Sequence, residues 1–300
     1  LYFLIIFKLF FPLVKFLKKN NDEFLIVHLI TSLPLLLNIW IKKKNIILRV
    51  SGLPRFTFFR KLIWKMGINY VSIVFCPTID TKKNLENEFP GYKKKFKLLR
   101  DPIISISEIS DLKKQVYNNS ISHEDYFVSI GRLTKQKNHI LLLNLIKSLS
   151  NKGINKKFFI IGEGEEKHNL IKFIKDNNLK NLVQLLGYKE NIYSYLTKSK
   201  ALISTSLWED PGFTIIEAAF CNITVISSDC PNGPKEILDG NNGGYLFNSN
   251  SLNHLEKVFM KYLKDDNKIK MNKKIVIKKT SKEFTLFNHY INLIKAINEK

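Results

Sequence analysis

The sequence predicts an α/β protein built from two doubly wound domains, each a parallel sheet with helices between its strands. Three observations predict it. The chain has 300 residues, more than a single hydrophobic core usually supports. Apolar residues make up 45% of it, enough for two cores, while glycine and proline are ordinary, which excludes disordered and fibrous classes. Short β-branched runs alternate with helical patterns, and the alternation restarts near residue 126.

The elements follow in order. Phe24–Leu29 reads as a short apolar strand, and Ser32–Ile41 as a helix ended by the Lys42–Lys44 run. Ile46–Val50 is a strand, Phe58–Met66 a helix, Val71–Cys76 a strand, Thr81–Phe89 a short helix and Lys95–Leu99 a last strand. Asp101-Pro102 and a polar helical stretch to residue 122 form the connection. In the second half, strands are expected at Tyr126–Ile130, Phe158–Ile161, Val183–Leu186, Ala201–Ser204 and Thr224–Ser227. Helices are expected at His139–Leu149, Lys167–Asn177, Ile192–Ser199, Thr214–Cys221, Pro234–Leu238 and Leu252–Leu263, with one long amphipathic helix over Phe284–Ile297. This divides the chain into residues 1–105, residues 106–283 and a C-terminal helix, 284–300, able to cross back to the first domain.

The formal net charge is +22 and uneven. Residues 1–100 hold 19 basic and 5 acidic residues, a net +14, whereas residues 201–250 hold 1 and 6, a net −5. A basic first third suits an anionic partner: a membrane surface, a phosphorylated lipid or a nucleic acid. The abundance of Lys, Asn and Ile supplies a competing explanation, a compositional bias of the whole proteome. The opening LYFLIIFKLFFPLVKFLKK is interrupted by Lys8 and Pro12, too short for a membrane span of roughly 20 apolar residues, and it lacks the basic start and cleavage site of a signal peptide. It reads as a helix packed on a sheet; the alternative is an interfacial helix with lysines at the headgroups. Cys76, Cys221 and Cys230 lack the spacing of a zinc site, which suggests reduced thiols in a cytoplasmic compartment.

In doubly wound sheets ligands bind beyond the carboxyl ends of the strands, so the loops that follow strands carry the chemistry. The loop Gly131-Arg132-Leu133-Thr134-Lys135-Gln136-Lys137 places two cations five residues apart before a helix. Arg132 and Lys137 can converge on one anion, a diphosphate being the natural fit, with the helix N-terminus adding to the field. A solvated charged loop is the bland alternative. Gly162 and Gly164 in Gly162-Glu163-Gly164 allow close backbone approach, and Gly187-Tyr188 offers backbone groups to a flat nucleobase, although Tyr188 also suits half-buried packing. Glu209 and Glu217 flank Asp210-Pro211-Gly212-Phe213-Thr214, at a strand–loop–helix junction. Asp210-Pro211 suits a helix start, which would leave the Gly212, Phe213 and Thr214 amides as open donors, with the two carboxylates bracketing a polyhydroxy molecule.

The second half resembles the nucleotide-sugar domain of GT-B glycosyltransferases, in detail the retaining family 4. The stretches that carry the resemblance are GRLTKQKN (131–138), IIGEGEE (160–166), LLGYKENIYSYL (185–196), SLWEDPGFTIIEAAFCNITVISSDCPNGPKEIL (206–238) and GGYLF (243–247), in order over about 120 residues. The resemblance implies two Rossmann-like domains, with Arg132 and Lys137 neutralising the donor diphosphate, Glu209 on the transferred sugar and Glu217 on the ribose. It places the backbone of Gly212, Phe213 and Thr214 at sugar and phosphate. His28, in FLIVHLITSLPL (24–35), matches the family's histidine beside the reacting sugar; a histidine tucked among apolar neighbours is the alternative. Ser51 and Gly52, after their strand, could line the acceptor cleft. The family's glycine-rich loop after the first strand is absent and the chain starts at Leu1, so the resemblance implies an incomplete N-terminal domain in a truncated chain.

The implied activity is transfer of a sugar from a nucleoside diphosphate donor, a UDP-sugar, to a lipid-linked or oligosaccharide acceptor in capsule, O-antigen or other surface polysaccharide assembly. It is expected in the cytoplasm, peripheral at the inner face of the plasma membrane, in contact with anionic lipid. No cofactor is expected, the nucleotide-sugar being a substrate, and no metal: no Asp-x-Asp pair occurs, and Arg132, Lys137 and helix amides can supply the positive charge. Two other readings stay open. One is a basic, non-enzymatic binder of nucleic acid, which the lack of aromatic residues interleaved with the basic runs 42–44 and 93–95 disfavours. The other is a truncated transferase that binds donor without transferring.

Overall fold

The computed structural model describes residues 2–19, 24–28, 32–42, 45–114 and 125–299. Leu29, Lys43, Lys44 and residues 115–122, which the sequence reading included in a strand, a terminating run and the connection, lie outside them. The chain forms two compact units, residues 1–100 with 291–300, and residues 101–290.

The first unit opens with helix α1 (Tyr2–Lys19), then β1 (Leu25–His28), α2 (Ser32–Ile41), β2 (Ile46–Arg49), α3 (Phe58–Gly67), β3 (Val71–Cys76), α4 (Ile79–Glu88) and β4 (Phe96–Leu98). The strands are all parallel and lie in the order β1-β2-β3-β4. Side chains alternate across a strand, and the burial follows. Ile46, Leu48, Val50, Val74 and Cys76 pack with Leu17, Leu35, Trp64 and Leu85 of the helices. Ile47, Ile73, Phe75 and Leu99 project to the other face. Strands added in sequence through crossovers of one hand put α2, α3 and α4 on the same side, so that other face needs a separate cover. Leu293, Ala296 and Ile297 of the last helix supply it, and Lys97 Nζ donates to Ala296 O at 3.2 Å. α3 and α4 are capped by Thr57 and Thr78, each accepting from a backbone amide three residues on.

The second unit contains α5 (Ile106–Lys114), β5 (Tyr126–Ile130), α6 (His139–Asn151), β6 (Lys157–Ile161), α7 (Lys167–Asp176), β7 (Val183–Gly187), α8 (Tyr193–Leu196), β8 (Ala201–Ser204), α9 (Phe213–Phe220), β9 (Thr224–Asp229), α10 (Pro234–Ile237), β10 (Tyr245–Asn248), α11 (Leu252–Lys264) and α12 (Asn267–Ser281). After a 3-10 turn at Lys282–Phe284 comes α13 (Leu286–Asn298), which ends in the first unit. The six parallel strands run β10-β9-β8-β5-β6-β7, so the order reverses between β5 and β8. One side of the sheet is filled by Phe127, Phe158, Phe247, Phe259 and the leucines of α6; the other holds Val128, Leu202, Val225, Ile215, Ile216 and Phe284.

Three features differ from the sequence expectation. The C-terminal helix starts at Leu286 rather than Phe284: Thr285 is extended and bridges to Ile104, whose carbonyl accepts from Leu286 N at 3.0 Å. α12 was not expected, because its fifteen residues carry lysines on nearly every face and bury only Ile277 and Ser281; the signal was its N-cap, Asp266, which accepts from Ile269 N at 2.7 Å. β10 was legible only as the motif GGYLF, being four residues between Gly244 and Ser249. Among the described residues no helix is long and apolar enough to cross a membrane. α1 buries Leu17 against the core and exposes Leu9, Phe10, Phe11 and Phe16.

Candidate active site

The strand order reverses between β5 and β8, and in such sheets ligands are expected beyond the carboxyl ends of the strands at that point. The loop after β5 carries Gly131–Lys137 and the loop after β8 carries Thr205–Gly212. The two are sewn together by backbone and side chains. Leu207 N donates to Gln136 O at 2.8 Å, and Gln136 Nε2 donates to Trp208 O at 2.9 Å. Thr205 Oγ1 donates to the carbonyls of Lys137 and Asn138 at 3.1 and 3.0 Å.

That stitching sets a charge pair. Lys137 Nζ donates to both carboxylate oxygens of Glu209, at 2.6 and 2.8 Å, and Ser206 Oγ donates to Oε1 at 2.6 Å. Glu209 is only 3% exposed. Ser206 is itself placed by Ser228 Oγ, which donates to the Ser206 carbonyl at 2.6 Å. A buried carboxylate needs such donors, since desolvation otherwise outweighs its ionisation. Arg132 is exposed at the head of its loop, where its carbonyl accepts from Thr134 N at 2.9 Å.

Close backbone approach explains the glycines. Gly162 has φ +147, and a Cβ there would sit 1.9 Å from Gly131 O. Gly131 N donates to Ile161 O and Gly162 N to Gly187 O, so the ends of β5, β6 and β7 form one continuous rim. Gly164 lies against the Leu133 backbone, and Tyr188, beyond Gly187, is 74% exposed. The half-buried packing that the sequence allowed for Tyr188 is therefore not found.

The junction after β8 differs in detail from the expectation. Asp210 does not cap the helix: Gly212 is the N-cap, left-handed at φ 108, ψ 65, with no side-chain cap, and α9 starts at Phe213. The Asp210–Pro211 peptide is cis. The first intrahelical bonds run from Ile215 N and Ile216 N to Gly212 O, so the amides of Gly212, Phe213 and Thr214 precede the helical ladder as expected of a helix N-terminus. Glu217 does not join Glu209 and Lys137. It sits one turn into α9 and accepts from Tyr193 Oη at 3.2 Å, and burial pushes its carboxyl up to about 7, against the lowering effect of that hydrogen bond.

In the first unit, His28 ends β1 and Ser51 and Gly52 follow β2, all at the carboxyl edge of that sheet. His28 is exposed, with Nδ1 3.3 Å from Arg49 O, rather than tucked among apolar neighbours. Sequence reasoning missed Ser206, Gln136 and Tyr193. Ser206 stands three residues before Glu209, a spacing at which a hydroxyl reaches a local carboxylate; Tyr193 comes from a different element and left no local signal. Among the described residues no group of three His, Cys, Asp or Glu side chains is arranged to hold a metal, and the three cysteines are buried and unpaired.

Known proteins share this framework. The family model described as Glycosyl transferases group 1 matches residues 112–281. An uncharacterized glycosyltransferase of Methanocaldococcus jannaschii is 38% identical over 181 residues, 59% of this chain and 44% of that protein. A Campylobacter jejuni protein named GalNAc-alpha-(1->4)-GalNAc-alpha-(1->3)-diNAcBac-PP-undecaprenol alpha-1,4-N-acetyl-D-galactosaminyltransferase is 28% identical over 263 residues, 87% of this chain and 70% of its own length. The chain therefore spans less than half of the first relative and about 70% of the second. In fold, it superposes on Anabaena HepE, crystallised with UDP and glucose, with a TM-score of 0.74 at 16% identity, covering 96% of this chain and 82% of that one. The architecture is the α/β GT-B type with two Rossmann-like parallel sheets, and by the match across more than half its length the chain belongs to the glycosyl transferases group 1 family.

Proposed function

We propose that the protein is a retaining glycosyltransferase of family 4 that moves a sugar from a nucleoside diphosphate, a UDP-sugar, to a lipid-linked or oligosaccharide acceptor in surface polysaccharide assembly. The observation that carries this reading is the Lys137–Glu209–Ser206 cluster at the strand-order reversal, 2.6 Å between ammonium and carboxylate. In an activated sugar, the hydroxyls and the diphosphate are joined through one anomeric bond. A site for it needs a hydroxyl acceptor and a phosphate cation as immediate neighbours, held by groups that do not move.

In this reading Glu209 accepts from the sugar hydroxyls, Arg132 and Lys137 offset the charge that grows on the diphosphate, and the amides of Gly212, Phe213 and Thr214 add a helix N-terminus. Glu217 takes the ribose, the rim at Gly162, Gly164, Gly187 and Tyr188 receives the base, and no metal is needed. His28 takes a catalytic role toward the reacting sugar, and Ser51 and Gly52 serve the acceptor side. The departing phosphate helps take the acceptor proton on the face it leaves. Losing one electrostatic contact to the leaving group raises the barrier by about 2–4 kcal/mol. Peripheral contact with an anionic membrane from the cytoplasm is supported by exposed Phe10, Phe11 and Phe16 beside Lys15, Lys18 and Lys19 on α1, and by exposed Phe58 and Phe59 before Arg60 and Lys61 on α3.

A thermal-shift panel of UDP-, GDP- and ADP-sugars tests the donor assignment. A bound donor raises Tm by mass action. The expected result is a rise with UDP-sugars that Glu209→Ala abolishes; no rise with any donor would reject the reading.

A further inference from the structure

The opposite edge of the second sheet holds a cavity of about 570 Å³. Its wall is made where β5, β6, β8 and β9 begin, so it is separated from the proposed donor crevice by the length of the strands. Four lysines line it: Lys156 before β6, Lys200 before β8, and Lys270 and Lys274 one turn apart on α12. Phe127 and Tyr262, both buried, form an aromatic side, and Lys270 Nζ stands 4.8 Å from the Tyr262 ring centre. Among the described lining residues Asp125 is the one carboxylate, and it is paired with Lys200 at 2.7 Å.

Lysines on a convex surface spread into water. Here they converge from separate segments on a concavity, at a distance where they act on one another. Burial, then the charges of Lys200 and Lys270, lowers the Lys274 ammonium below its ordinary value. Between Asn267 and Ser281 α12 contains no acidic residue, so its lysines meet carboxylates at the Asp265–Asp266 head of the helix rather than within it. Four lysines against one carboxylate make the cavity wall positively charged. The volume is that of a small-molecule site, and ammonium groups bind phosphate as point charges without demanding one orientation.

We propose that this cavity is a second ligand site, taking a small, multiply charged phosphate compound at the sheet edge opposite the donor crevice. Inorganic triphosphate is the probe. With the full chain at constant ionic strength, triphosphate raises Tm progressively, sodium chloride and generic RNA do not, and Lys270→Ala/Lys274→Ala weakens the response about tenfold. Arg132→Ala removes any share contributed at the proposed diphosphate site, and the response that remains in it still weakens with Lys270→Ala/Lys274→Ala, which separates this site from the proposed donor function. Lys200→Gln, at an exposed position ahead of β8, is the second variant should the helix substitutions disturb folding, and it also weakens the response. A response that persists in both lysine variants, disappears in Arg132→Ala, or is matched by sodium chloride or RNA overturns the proposal.

Discussion

At the scale of single residues, the Lys137–Glu209 pair is the feature with the largest consequences. With side chains 16% and 4% exposed, it is buried enough for partner removal to be severe. Lys137→Ala leaves a desolvated carboxylate with Ser206 alone, and the expected loss is about 3–5 kcal/mol of stability, read by urea unfolding. The double variant Lys137→Ala/Glu209→Ala should recover part of that loss; if it is as unstable as the sum of the singles, the pair is not coupled. Glu217 predicts a pH effect. Its folded carboxyl holds a proton up to about 7, while the ordinary value is 4.5. Between those values the folded chain binds more protons than the unfolded one, so this group makes stability fall as pH rises through the window. Unfolding measured from pH 4.5 to 8 should show that slope, and Glu217→Gln should flatten it; an unchanged slope would assign it elsewhere. Lys137 and Glu209 were legible singly from the loops, but their contact was not, because 72 residues separate them. Only the return of β8 beside β5 closes that gap.

At the scale of elements, the candidate site depends on loops packed backbone to backbone. Gly162→Ala forces a methyl group into the space of Gly131 O, in a left-handed conformation. The expected loss is roughly 2–4 kcal/mol, together with weaker UDP-sugar binding in the same thermal-shift assay. Retention of both would mean that the rim yields easily. The strands were legible because β-branched and aromatic runs ended at glycines, as in Tyr126–Ile130 before Gly131 and Phe158–Ile161 before Gly162. Periodicity failed where burial is slight. α12 keeps two residues in the core and needed its Asp266 cap to be found. The helix α9 starts within one residue of its expected start, but its cap differs: Asp210-Pro211 fits a cap by composition, whereas the left-handed Gly212 takes that position.

For the whole molecule, the alternation of strands and helices made two parallel sheets readable, and the sequence also offered a C-terminal helix able to cross back to the first domain, without telling which sheet face it would meet. Ile47, Ile73, Phe75 and Leu99 are covered by Leu293, Ala296 and Ile297, between 194 and 250 positions later. Deleting residues 291–300 should therefore speed amide hydrogen exchange in β2 and β3 while leaving β5, β6 and β8 protected. Equal acceleration in both units would show that α13 is not a specific cover.

The same arrangement bears on synthesis. A nascent chain leaves the ribosome from its N-terminus, and domains ordinarily close in that order. Here residues 1–100 emerge with the face of Ile47, Ile73, Phe75 and Leu99 still uncovered by α13, which is translated after residues 101–290. The second unit can reach its finished state while the first waits, so whatever shields that apolar face during translation has to act until α13 has been made.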